Sequence, residues 1–318
     1  MAFTPSPAWY PERTPDPKAP RFLDLIRGDP KGAGLLLAGT CFDSAVIGRK
    51  GCKDGPTAIR EAFRFLGSYD PVRGTDLAGL RVHDLGDAPV DVKGVLATHR
   101  LVQAHAAEAF LAGPPVVLLG GDNSLSFPHV AGLHEARPGR IGLVVLDSHY
   151  DLRPYQGEPT SGTPYRRILE ELGGKPVQGR NLVEVGLRSW ANTKALADEA
   201  VRLGIHVVTR DEVRTRGARE VAKRALELAG DGVEHLFLSV DIDALDQSVA
   251  PGCSAPGPDG LLLHEAVEVV HIVAADARCR GMDLVEVAPN LDPSGNTARA
   301  AAHLVATFAG GVVSRKTK

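Results

Sequence analysis

Leu146-Asp147-Ser148-His149-Tyr150-Asp151 and, further along, Val240-Asp241-Ile242-Asp243 set four aspartates and a histidine directly after two apolar runs. Each run reads as a buried strand, so the acidic groups gather where strands end. Carboxylates collected in this way repel one another and raise each other's pKa unless a cation sits between them. Hard oxygen donors with a single imidazole suit Mn²⁺ or a related first-row divalent ion. Asp147, His149 and Asp151 stand at i, i+2 and i+4, and Asp241 and Asp243 at i and i+2, spacings that an extended backbone aims to one side. A helix-capping loop with an incidental histidine accounts for either cluster alone, but two such clusters in one chain are hard to assign to chance. Glu286 lies in the apolar run Leu284-Val285-Glu286-Val287. A carboxylate there needs a partner, either a core arginine or a functional ligand, because an unpaired buried charge is costly. The Gly120-Gly121-Asp122-Asn123-Ser124 turn follows a third apolar run, and its glycines permit a sharp bend or a close approach to a ligand. Taken alone it is only a turn.

The elements that must position these groups alternate. Short apolar runs at 35–38, 82–85, 116–119, 143–146, 182–185, 205–208, 236–240 and 284–287 read as strands. Segments of helical composition and periodicity separate them, at 56–65, 94–112, 193–203, 212–229 and 264–275. This order predicts an α/β protein of three layers, α/β/α, around a mostly parallel sheet of about eight strands. Ligands of such sheets collect beyond the carboxyl ends of the strands, where the acidic motifs stand. The first thirty residues, rich in proline and charge, read as an irregular N-terminal arm (1–30) before one catalytic domain (31–318).

Composition narrows the function classes. The 318 residues are 43% hydrophobic and 24% charged, and a net charge of −3 gives no basic field for nucleic acid. Apolar stretches match buried strands rather than membrane spans, and no signal-peptide core is visible, so a cytoplasmic protein is expected. The cysteines Cys41, Cys52, Cys253 and Cys279 lack CxxC spacing and are expected to be free thiols. His83, His206 and His235 lie in or beside apolar runs and read as core or strand-end residues.

The motifs GGDN at 120–123, DSHYD at 147–151, SVDIDALDQSVAPGC at 239–253 and VEVAPNLD at 285–292 resemble those of the ureohydrolases, the arginase, agmatinase and formimidoylglutamase superfamily. The likeness runs from about Gly34 onward. Asp151-Leu152-Arg153 followed by Ser161-Gly162-Thr163-Pro164-Tyr165 is most similar to formimidoylglutamases. The resemblance implies an arginase-like fold and a homo-oligomer, trimer or hexamer. It also implies two Mn²⁺ bridged by Asp147 and Asp241, with His149 and Asp243 completing one ion and Asp151 serving the other. The family's sixth ligand is a histidine where this chain has Asn123, so that position is expected to bind weakly or to act from behind the ligands. The implied reaction is hydrolysis of N-formimidoyl-L-glutamate to L-glutamate and formamide by a metal-activated hydroxide. In it Asp151 shuttles a proton and Glu286 holds the cationic amidine. Arg153 stands where arginases carry neutral carboxylate binders, and its planar guanidinium suits an acidic substrate. Arg166, Arg167 and Arg188 are alternatives for that contact. Ser161 replaces a family histidine in the substrate loop. Competing expectations are a ureohydrolase for a guanidino compound such as agmatine, guanidinobutyrate or arginine, which Arg153 disfavours, and a metal-poor non-catalytic relative, suggested only by Asn123 and Ser161.

Overall fold

The computed structural model describes residues 3, 4, 6, 16, 18–91, 93–155, 157–172 and 176–315. Much of the first half of the proposed arm therefore lies outside the described residues. Its end does not, and Phe22 and Leu25 of a short 3₁₀ turn are buried in the core.

In chain order the elements are β1 (Leu35–Gly39), α1 (Gly55–Ala62), β2 (Tyr69–Asp70), β3 (Thr75–Asp76), β4 (Val82–Asp87), α2 (Val95–Leu111) and β5 (Val116–Leu119). There follow α3 (Ser126–Ala136), β6 (Ile141–Leu146), α4 (Pro164–Glu171), β7 (Leu182–Leu187), α5 (Lys194–Leu203) and β8 (His206–Thr209). The chain continues through α6 (Arg210–Arg216), α7 (Ala218–Ala229), β9 (His235–Asp241), α8 (Leu263–Ala274), β10 (Cys279–Val285) and α9 (Asn296–Ser314).

Eight strands form one parallel sheet in the order β4-β1-β5-β10-β9-β6-β7-β8, and β2 and β3 pair as a separate antiparallel hairpin. Alternate side chains feed two cores. Leu35 and Leu37, Val117 and Leu119, Val144 and Leu146, and Leu238 and Val240 pack with α1, α7, α8 and α9. Leu36 and Ala38, Val116 and Leu118, and Leu143 and Val145 pack on the other face against α2, α3, α4 and α5. A strand apolar at every position is what a sheet covered on both faces demands.

Every strand expected from the apolar runs is present, and four boundaries carry the information. The run at 284–287 is displaced: β10 ends at Val285, and its earlier residues were hidden because Arg280, Gly281 and Asp283 interrupt the apolar pattern. Glu286 is therefore just beyond the strand, at φ +67°, not inside it. The single helix expected over 212–229 is two, α6 and α7, broken at Gly217 with φ +86°. Helices α3 and α4 fall outside the helical segments expected from periodicity; α3 carries Pro128 and α4 opens on Pro164.

Strands β5, β10, β9 and β6 lie side by side at the centre of the sheet. The helices following β5 and β6 (α3 and α4) pack on one face, and those following β10 and β9 (α9 and α8) on the other. Loops leaving neighbouring strands toward opposite faces open a crevice, the usual ligand position in parallel sheets.

Candidate metal centre and active site

Each of the four central strands delivers one motif to that crevice. Gly120–Asn123 follows β5, Asp147–Asp151 follows β6, Asp241 ends β9 with Asp243 in the 3₁₀ turn just after it, and Glu286 follows β10. Asp147, Asp241, Asp243 and Glu286 are at most 3% exposed. Ligand atoms of Asp147, His149 and Asp243 lie within 4.8 Å of one another, and so do those of Asp147, Asp151 and Asp241. Asp147 belongs to both trios. A cavity of about 120 Å³ opens over them, lined by Ile47, His149, Asp151, Arg153, Ser161, Asp241, Asp243, Ser254 and Glu286, among others.

The backbone is bent to make this arrangement. Asp151 (φ +45°) and Glu286 (φ +67°) both adopt the left-handed region, which is sparsely populated for non-glycine residues and tends to be kept at functional sites. A Cβ on Gly121 would stand 1.6 Å from the Phe42 carbonyl oxygen, so only glycine fits where Asp122 N–H donates to that oxygen at 2.9 Å. Asp122 itself is wholly buried, accepting from Ser124 N–H at 3.1 Å and Ala45 N–H at 2.9 Å. Burial raises its carboxyl to about 7.

Charge at the centre is uncompensated. Burial, then repulsion from neighbouring carboxylates, raises Asp151 and Asp241 well above the ordinary carboxylate range, and burial with Asp122 does the same to Glu286. Asp147 is raised to about 6 because burial outweighs the pull of His149. Burial opposes charge on His149, yet Asp243, 3.2 Å from Nδ1, and Asp147, 3.5 Å away, carry it up to about 11. One imidazolium cannot balance this many buried acids. Among the described residues Glu286 has no arginine partner: Oε1 accepts from Asn123 N–H at 2.7 Å and Oε2 is buried with no hydrogen bond. An oxygen-rich donor set with one imidazole and a shortage of positive charge fits a pair of divalent cations.

Asn123 is turned in a way the sequence does not reveal. Its Nδ2 donates to Asp151 Oδ2 at 2.7 Å and Asp147 Oδ2 at 3.4 Å, while Oδ1 accepts from Ser126 Oγ at 2.9 Å. Arg153 is exposed at the cavity wall, packs over Gly162, and its guanidinium makes no hydrogen bond or ion pair among the described residues. Ser161 lines the same cavity and its Oγ accepts from Ile47 N–H at 3.1 Å, which fixes the loop opposite.

The other arginines are engaged elsewhere. Arg166 pairs with Glu170 and Glu199, each at 3.2 Å. Arg167 lies 3.6 Å over the Phe127 ring, pairs with Glu171 and donates to His99 Nδ1 at 2.8 Å. Burial and Arg167 lower His99 to about 3, so its neutral ring passes the contact on to Ser124 Oγ at 3.0 Å, behind the GGDN turn. Arg188 packs behind Ala255 and bonds its carbonyl at 3.4 Å. The cysteines Cys41, Cys52, Cys253 and Cys279 are free.

Residues 33–310 match the profile of the Arginase family. A formimidoylglutamase from Halobacterium salinarum is 38% identical over 312 residues, 95% of this chain and 97% of that protein. The crystal structure of a Bacillus subtilis formimidoylglutamase superposes with a TM-score of 0.88 at 30% identity, covering 94% of each chain. A Trypanosoma cruzi formiminoglutamase solved with Mn²⁺ gives 0.86 at 28% identity, covering 93% of this chain and 99% of that one. The chain belongs to the arginase family.

Proposed function

We propose that this chain hydrolyses N-formimidoyl-L-glutamate to L-glutamate and formamide, with two Mn²⁺ as cofactors. The observation that carries the reading is a buried, charge-deficient acidic cluster facing a small cavity whose wall holds the unpartnered Arg153. The relatives' names give the same substrate. Asp147, His149 and Asp243 would hold one ion, and Asp147, Asp151 and Asp241 the other, with Asp147 and Asp241 shared as the family resemblance implies. When bound, such a pair lowers the pKa of a water between them and supplies hydroxide near neutral pH.

The chain's own groups do the rest. Glu286 Oε2, buried and without a partner, would accept from the N–H groups of a cationic amidine and hold its planar carbon over the cluster. Arg153 binds a carboxylate at the far end of the substrate. Asp151, with Oδ2 engaged by Asn123, keeps Oδ1 to take the proton of the attacking water. As the bond from the amidine carbon to the glutamate nitrogen breaks, that proton passes to the leaving amine. Oxygen stays on the one-carbon fragment, which departs as formamide with the amidine nitrogen. Ser161 contributes by holding the Ile47 loop against the substrate.

Residues 31–318 are proposed as one catalytic unit behind the arm at 1–30. The homo-oligomer is carried over from the family alone, and the cytoplasmic location from the sequence patterns alone. Among the described residues no helix is long and apolar enough to cross a membrane.

A substrate panel tests the reaction. Mn²⁺-loaded protein should release glutamate and formamide in equal amounts from N-formimidoyl-L-glutamate, and no urea from arginine or agmatine. Urea from a guanidino substrate, with no formamide, overturns the assignment.

A further inference from the structure

The segment that carries Arg153 is held at its base and again farther out. At the base Arg153 N–H donates to the Gly162 carbonyl at 2.9 Å, and Ser161 N–H donates to the Ala45 carbonyl at 2.8 Å. Farther out, Glu158 reaches across to helix α2, where its Oε2 accepts from Val95 N–H at 2.7 Å and from Leu96 N–H at 3.3 Å. The first N–H groups of a helix have no partner inside it and are normally met by the side chain of the residue just before. Here that residue is Gly94, at φ +142°, and it has no side chain to offer. A Cβ at Gly94 would stand 2.9 Å from Glu158 Oε1, so the glycine makes room for a carboxylate from a distant segment. A negative charge at that end of the helix is also favoured by the helix dipole.

The end of α2 belongs to the frame of the acidic site. Val95 packs with Phe42, Ala45, Val102 and Leu125 in a small apolar cluster of its own. The same cluster supports the turn after β5: Asp122 accepts from Ala45 N–H and its own N–H donates to the Phe42 carbonyl, each at 2.9 Å. Glu158 and Ser161 therefore moor the Arg153 segment to the block that fixes Gly120–Asn123. Arg153 itself is exposed, and its stem lies against Gly162, where a Cβ would stand 2.7 Å from Cδ. With no partner for the guanidinium among the described residues, its place at the cavity wall follows from where its backbone is held. A substrate gripped by Glu286 at one end and Arg153 at the other has a set span, and the mooring sets it.

We propose that Glu158 is a positioning residue: by capping α2 it fixes Arg153 relative to Glu286, and so the length of acidic substrate that the enzyme accepts. This deepens the proposed function and rests on it. A displacement of about 1 Å can cost on the order of a hundred-fold in a positioned reaction, so a contact outside the cavity has leverage on what happens inside it.

The test is steady-state kinetics of the Mn²⁺-loaded full-length enzyme on N-formimidoyl-L-glutamate and on the aspartate homologue, one methylene shorter. Glu158→Ala should raise KM for the glutamate compound by roughly ten-fold with little change in kcat, because the contact it weakens is the same in ground and transition states. Its preference for the glutamate over the aspartate compound, in kcat/KM, should shrink by about three-fold or more as the span is no longer set. Mn²⁺ affinity should stay unchanged. Glu158→Gln keeps an oxygen to accept from Val95 N–H and should recover most of both losses. In an Arg153→Ala background Glu158→Ala should add nothing. Thr98→Val separates positioning from damage to the helix. It removes the Thr98 hydroxyl, which accepts from Asp91 N–H at 3.0 Å and donates to the Asp91 carbonyl at 3.1 Å near the same end of α2, and it leaves Glu158 in place. Both Glu158→Ala and Thr98→Val should lower the melting temperature by roughly 1–4 °C, and only the first should move KM. Glu158→Asp, whose shorter side chain strains the cap, should raise KM in the same sense and serves if Glu158→Ala does not fold. An unchanged KM or an unchanged preference in Glu158→Ala, an equal rise in Thr98→Val, or an undiminished effect in the Arg153→Ala background overturns the positioning role. Wild-type enzyme that releases no formamide and glutamate from the glutamate compound overturns the proposed function itself, and this role with it.

Discussion

Two buried acidic clusters stand at the carboxyl ends of strands in one sheet, and they are built oppositely. At the end of β4, Asp84 and Asp87 share the fully buried Arg60, with Nε 2.8 Å from Asp84 and Nη1 2.6 Å from Asp87. Arg60 Nη2 also donates to the Gly86 carbonyl at 3.0 Å, and Gly39 leaves room for the group, since a Cβ there would stand 2.0 Å from Asp87 Oδ1. At the ends of β6, β9 and β10, Asp147, Asp151, Asp241, Asp243 and Glu286 are gathered with His149 as their only cationic contact among the described residues. The first cluster carries its own cation and serves the fold. The second must take positive charge from outside, which marks it as a site.

The sharpest way to break this contrast is to delete charge from each cluster. Asp241→Asn should lower kcat/KM by about a thousand-fold or more, roughly 4 kcal/mol of barrier, in the Mn²⁺-supplemented enzyme. The same substitution should raise the melting temperature of the metal-free protein, because it relieves repulsion. Arg60→Ala should do the reverse, destabilising the fold by about 3–5 kcal/mol in denaturant titration by stranding two carboxylates. Protein that still folds should keep its Mn²⁺ stoichiometry. If Asp241→Asn destabilised the metal-free chain as Arg60→Ala does, the two clusters would be of one kind.

Arg153→Ala tests the cavity wall with a smaller effect. Loss of a charge-assisted contact should raise KM by roughly 10- to 100-fold with little change in kcat. An unchanged KM moves the carboxylate contact to another residue.

The smallest effect is in pH. Asp147 is held at about 6 against an ordinary 3.8, so the folded metal-free protein binds that proton more tightly than the open chain does. Its stabilising contribution is complete below pH 3.8 and is lost as pH rises through about 6. His149, raised from 6.5 to about 11, acts in the same direction, complete below 6.5 and lost toward 11. Metal-free protein should therefore melt at falling temperature from about pH 4 upward, while the gain on adding Mn²⁺ grows over the same range as the ligands lose protons. A metal-free melting temperature that rises between pH 4 and 6 contradicts the charge account.

Much of this was legible in the sequence, for physical reasons. Strands buried on both faces must be apolar throughout, so runs such as Val116–Leu119 announce themselves. A carboxylate directly after such a run can only sit at a strand end, and Asp147, Asp241 and Glu286 do. What sequence could not supply is orientation. Nothing in the GGDN motif tells which end of the Asn123 amide faces Asp151, since that depends on Ser126, Ser239 and Tyr165 from distant segments. Arg167 offered the same cation as Arg153, and only packing over Phe127 and against His99 removes it from the cavity. The left-handed backbone is equally silent, because glutamate does not advertise the positive φ of Glu286 and aspartate, which tolerates it better, adopts it at Asp151 but at none of the other cluster aspartates.

The most direct test of the central claim is to strip the protein with a chelator and follow formamide and glutamate release from N-formimidoyl-L-glutamate as Mn²⁺ is returned. The account predicts no turnover in the stripped protein and activity that reappears with Mn²⁺, reaching its maximum at two bound ions per chain. Full activity in the stripped protein, or maximal activity with no ion bound, would contradict it.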